Sequence, residues 1–130
     1  MKKHNNGFTV IELVFTILLL SFACILFFTQ KQSTEATSRD DKKKTAINVI
    51  YYSLEEVFYN SNKYYPQNIT SEILPSVDPE LLKDSEGLLI NTAGSAYNYF
   101  PTDCLDNKCK KYTLKTSLEK EADFIKTNRN

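Results

Sequence analysis

The chemistry open to this chain is bounded by a short inventory: one histidine, three cysteines and no tryptophan in 130 residues. His4 stands in a short stretch ahead of an apolar run. If that stretch is removed, no imidazole is left, and neither Ser-His-Asp nor Cys-His catalysis has its usual general base. Histidine-containing zinc sites fail for the same reason. The cysteines divide into one and two. Cys24 sits inside the apolar run and reads as a small inert side chain facing lipid or a neighbouring helix. Cys104 and Cys109 bracket four residues of a turn-like segment. Their spacing is not C-x-x-C and no histidine is at hand to activate a thiolate, so a structural disulfide is expected in place of a redox dithiol. Closing so small a loop stabilises by about 2 kcal/mol on the chain-entropy estimate. No catalytic residue, cofactor or metal site is expected.

Two charged features remain. Lys108, Lys110, Lys111 and Lys115 gather around Tyr112, a small basic patch with a ring that would suit a weak, salt-sensitive DNA contact. The plainer account is a strand whose lysines protect a sheet edge. Sixteen basic and sixteen acidic residues cancel, so no global positive field marks a dedicated nucleic-acid binder. The second feature is Glu12, a carboxylate inside an apolar stretch, where a charge is expensive unless it has a partner or snorkels to the interface.

That stretch runs from Phe8 to Phe28 and is apolar except for Thr9, Glu12, Thr16 and Ser21. About 20 apolar residues at 1.5 Å each span a hydrocarbon core of about 30 Å, whereas secretory signal cores are shorter. A retained transmembrane helix is expected. Lys2 and Lys3 precede it and the next positive charge is Lys31, which places the N-terminus in the cytoplasm and the bulk of the chain outside. That side permits disulfides.

The string from Lys2 to Val14, KKHNNGFTVIELV, resembles the leader and methylation motif of type IV pilins, pseudopilins and related filament proteins. It combines a basic leader, glycine at the cut, phenylalanine after it, an acid at the fifth residue of the cut chain and an unbroken apolar run. The resemblance covers about the first quarter of the chain tightly. It implies cleavage after Gly7 by a prepilin peptidase, N-methylation of Phe8, and Glu12 facing the terminal amine of a neighbouring subunit. It also implies an assembly ATPase and a membrane platform protein as partners. A lipoprotein site at Ser21-Phe22-Ala23-Cys24 matches poorly: Phe22 is bulky, Ser21 replaces an aliphatic, and the apolar run continues past the cysteine.

No Gly or Pro occurs between Phe8 and Pro66, and Ile47, Ile50, Tyr51, Leu54, Val57 and Phe58 recur at helical steps. One long helix from Phe8 to about Tyr59 follows. The glycine and proline that often loosen the membrane half of such helices in the family are missing here. The polar segment Gln30 to Thr45 is expected to be solvated helix, braced by Glu35 with Arg39 and Asp40 with Lys44. Tyr64-Tyr65-Pro66 ends the helix. Brief helical turns follow at Thr70 to Leu74 and Asp78 to Lys83, the latter with Asp78 as N-cap and Pro79 at the first position. Tyr97 to Pro101 and Lys111 to Leu118 alternate as two strands of a hairpin, with Tyr112, Leu114, Thr116 and Leu118 on one face.

The expected fold class is α+β: a long N-terminal helix, transmembrane in its first half, packed on a small C-terminal antiparallel sheet, as in pilins. Its parts are a leader (1–7), the helix (8–60, membrane 8–28) and a globular head (61–130). The expected function is a structural filament subunit for adhesion, motility or DNA uptake, made as a single-pass inner-membrane protein and assembled into an extracellular pilus with copies of itself. Alternatives are a secretion pseudopilin, a minor pilin, or a membrane-tethered surface binding module.

Overall fold

A computed structural model describes residues 9–129. The architecture is α+β, one long N-terminal helix and a small antiparallel sheet. Helix α1 spans Val10–Tyr52, a π-helical turn covers Ser53–Phe58, and α2 covers Tyr59–Asn62. The chain divides into two compact units, Met1–Glu35 and Ala36–Asn130.

In the first unit, Thr9 and Glu12 close a reciprocal cap at the start of α1. Glu12 Oε2 accepts from the Thr9 backbone N–H and from Thr9 Oγ1, both at 3.0 Å, while the Glu12 N–H reaches Thr9 Oγ1 at 3.4 Å. The other polar side chains of the apolar run turn back on their own helix: Thr16 Oγ1 donates to Glu12 O and Ser21 Oγ to Ile17 O. No water is needed to satisfy them. An 18-residue window of mean hydropathy 2.7 has none of its residues buried, so the helix is long and apolar enough to cross a membrane.

In the second unit, the helix buries a stripe at three- and four-residue steps: Ala36, Asp40, Lys43, Ile47, Ile50 and Leu54. Its apolar part packs with Tyr65, Tyr99, Tyr112 and Leu114, joined by Leu74, Val77, Leu82 and Ile90 from the connecting loop. Fully burying one such aliphatic side chain stabilises by about 1.5–3 kcal/mol.

The expected long helix is present, and it carries a π-helical turn where the Tyr59 N–H meets Leu54 O and three successive residues, Ser53, Leu54 and Glu55, are buried. The helix also runs past Tyr59 to Asn62. It stops because Lys63 takes a left-handed conformation (φ 62°) and its N–H returns to Tyr59 O.

Strands β1 (Tyr65–Pro66), β2 (Tyr97–Leu105), β3 (Lys108–Thr116) and β4 (Phe124–Thr127) form one antiparallel sheet. β3 is central: β2 pairs along its whole length on one side, while β1 pairs with its start and β4 with its end. β2 runs past Pro101 to Leu105, whereas β3 starts three residues before Lys111 and ends at Thr116, which corrects the expected place of Leu118 on the strand. Asp106 and Asn107 are both left-handed (φ 49° and 63°), the two-residue turn that matches strand twist. Between the helix and the sheet, Asp78 Oδ1 accepts from the Glu80 N–H and caps the 3-10 turn Pro79–Leu82, with Pro79 at its start as expected.

Candidate functional site

Lys2, Lys3, Gly7 and Phe8 lie outside the described residues. Glu12 is described, and its carboxylate is engaged by Thr9 of the same chain. The T-x-x-E spelling of Thr9 to Glu12 carried that signal in the sequence. Cys104 and Cys109 form the expected disulfide, and they are a directly facing pair one step from the turn. Cys24 is a free, exposed thiol on the apolar helix.

The basic patch is only partly assembled. Tyr112 is 1% exposed and belongs to the core, so the expectation of a ring available for stacking is corrected. Burial occurs because Tyr112 shares the inward face of β3 with Leu114 and Thr116. Lys115 pairs with Asp123 at 2.6 Å and Lys111 with Asp103 at 3.6 Å, which offsets their charge. Lys110 is exposed, and the Lys108 ammonium lies 5.3 Å from the centre of the Tyr64 ring.

Three further polar centres form within the second unit. The first docks the segment after β3 onto α1. Asp40, 2% exposed, accepts the backbone N–H groups of Glu119 (2.8 Å) and Lys120 (2.9 Å). Around it Arg39 clasps Glu119 through two nitrogens (2.8 and 2.6 Å), Lys43 reaches Ser117 O, and Lys44 meets Glu121 at 2.7 Å. Burial pushes the Asp40 carboxyl up, but the two N–H donors and the Lys43 ammonium outweigh it and leave it below the usual range. The Arg39 guanidinium holds Glu119 down to about 2. The hydrogen bond to Glu121 raises Lys44. The carboxylates met by Arg39 and Lys44 are thus remote in sequence, and from Ala36 onward the polar helix is partly covered instead of solvated all round. Its stripe spacing was the available signal: Asp40 and Lys43 fall in step with Ala36 and Ile47.

The second centre is Glu55, 3% exposed, in the π-helical turn. Its Oε1 accepts from Tyr112 Oη at 2.7 Å and from the Arg129 N–H at 3.3 Å, and Tyr65 Oη lies 3.1 Å from Oε2. Burial, then the Glu55 carboxylate, drives the Tyr112 phenol far above its ordinary value; burial does the same to Tyr99. Arg129 also reaches Tyr51 Oη and Glu56, fixing the C-terminal segment on the helix. The third centre is Asp84, whose oxygens accept from the N–H groups of Glu86, Leu88 and Ala96. Burial raises this carboxyl, yet the three donors win and hold it below the usual range. It gathers the loop before β2, where Gly87 takes φ 78°, a conformation that suits glycine.

Each of these carboxylates accepts two or three hydrogen bonds from its own chain, an arrangement suited to holding loops in place. Among the described residues no group of three or more His, Cys, Asp and Glu side chains is placed to hold a metal ion. No protein-family model, curated protein or solved structure matches the chain.

Proposed function

We propose that this protein is a structural subunit of a type IV pilus-like filament, cleaved after Gly7 and assembled through its N-terminal helix. The observation that carries the reading is the apolar window of mean hydropathy 2.7 with no residue buried, set directly behind a basic leader, Gly7 and Phe8. Such a surface needs lipid or other helices around it. The head supports the reading in a second way: its carboxylates secure loops and its cysteines close a hairpin, as befits a domain selected for rigidity. In this account the partners are copies of the chain, the prepilin peptidase, the assembly ATPase and the platform protein. The subunit is made in the inner membrane and ends in an extracellular filament.

A membrane-tethered binding module is favoured by one observation, that Glu12 already has a partner in Thr9 and does not require a neighbour's amine. Intact mass and N-terminal sequencing, in cells with and without the peptidase, separate the two. A chain starting at methylated Phe8 only when the peptidase is present is the expected result. An uncut Met1 terminus in both strains would replace the filament reading with the tethered module, and an acyl group on Cys24 would make it a lipoprotein.

A further inference from the structure

We propose that Asn68 is the acceptor of an N-linked glycan, an inference that rests on the head standing outside the cytoplasm, as in the proposed function. Asn68-Ile69-Thr70 is the one Asn-x-Ser/Thr triplet in the sequence, and its middle residue is not proline. Its setting has what the chemistry requires. Asn68 is exposed, in a bend just after β1, whose pairing with β3 ends at Pro66. Gln67, Asn68 and Ile69 make no hydrogen bond among the described residues, so the carboxamide is unclaimed and the bend can enter an enzyme without breaking a ladder or a helix. Ile69 is 8% exposed and anchors the bend in the core, while the residues on either side of it, Asn68 and Thr70, both face solvent. The Thr70 hydroxyl accepts only the Ile73 N–H, at 3.3 Å, and its own O–H remains available to a transferase. By contrast, Asn91 Oδ1 accepts from the Tyr99 N–H and Asn128 Oδ1 from the Tyr112 N–H.

The donor class is a polyprenyl-pyrophosphate-linked oligosaccharide, used by a membrane transferase on the outer side of the membrane. A bond forms between Asn68 Nδ2 and C1 of the first sugar. The bond from C1 to the phosphate oxygen breaks, the pyrophosphate leaves with the bonding pair, and the amide proton passes to a base of the transferase. No oxidant or reductant is involved. The glycan would cover the surface around the bend with a bulky, hydrated layer.

The test uses the full chain purified from its own cells. Trypsin, cutting after Lys63 and Lys83, releases a peptide from Tyr64 to Lys83 in which Asn68 is the only asparagine. The expected result is a sugar-bearing form of this peptide that glycosidase treatment in heavy-oxygen water converts to labelled aspartate at position 68. Asn68→Gln and Thr70→Ala should both abolish it, and Thr70→Ser, which keeps the hydroxyl and its contact with Ile73, should retain it. Recovery of the peptide only at its bare mass, or of sugar on Thr70 or Ser71 instead, overturns the assignment. The state of Cys104 and Cys109 in the same digest shows what has failed. Oxidised cysteines with a bare peptide condemn the glycan alone, while reduced cysteines with a bare peptide condemn the placement of the head as well.

Discussion

Replacing Glu55 by alanine should unfold the head far more easily, and the magnitude follows from what the carboxylate holds. Tyr65 is 0% and Tyr112 1% exposed, and both hydroxyls end on Glu55. Without it two buried donors are stranded, at about 1–3 kcal/mol each, while the exposed Arg129 N–H can turn to water. A further loss comes from the cavity left by the side chain, and an offsetting gain from no longer desolvating a charge. The net expectation is about 4 kcal/mol, a large part of the 5–15 kcal/mol typical of a domain. At roughly 4–8 °C per kcal/mol for a domain of this size, the melting temperature falls by about 15–30 °C. The assay is near-ultraviolet circular dichroism of the detergent-solubilised full chain. It is selective because the protein has no tryptophan and its eight tyrosines all lie between Tyr51 and Tyr112, so the apolar helix contributes no tyrosine signal. A triple variant, Glu55→Leu with Tyr65→Phe and Tyr112→Phe, removes donors and acceptor together and should recover most of the loss. A fall of less than about 4 °C for Glu55→Ala, or a triple variant as unstable as the single one, would refute the argument.

Acid should loosen the strap after β3. Glu119 and Asp40 have carboxyls below their ordinary values, so their stabilisation is full above the ordinary carboxylate range and is lost as pH falls below it, for Glu119 towards about 2; Asp84, lowered in the same sense, ties the loop before β2 with the same sign. Glu119→Gln should flatten stability against pH in that window, read by melting temperature. In alkali the sign reverses: Tyr97, Tyr99 and Tyr112 are raised, so their contribution is present below pH 10 and lost above it. A spectrophotometric titration should show these three ionising only as the head unfolds, and eight tyrosines titrating together near pH 10 would contradict their burial. Replacing Cys104 and Cys109 by serine should cost about 2 kcal/mol, whereas Cys24→Ser should leave the melting of the head unchanged.

Much of the architecture was local and therefore legible. The apolar run, the helical stripe from Ile47 to Leu54, the Asp78-Pro79 cap and the turn between Cys104 and Cys109 depend on neighbours a few residues away, and each stands where spacing put it. Short elements were not legible: β1 has two residues and β4 four, too few to display a period, and they exist because β3 offers them an edge. Tyr112 was singled out beside lysines, but burial is a property of the closed sheet and helix, and its hydroxyl is held by a carboxylate 57 positions away. The fate of the helix charges was hidden for the same reason. Arg39 and Lys44 have acids at the right local spacing, yet the partners they meet are 80 and 77 positions on, brought in when the chain after β3 folds back. The sequence alone determined a membrane-length helix with a stapled α+β head. Which charges became buried anchors, and the π-helical turn that carries Glu55 into the core, only tertiary packing decided, because an ion pair or buried hydroxyl is set by distance in space and not by position along the chain.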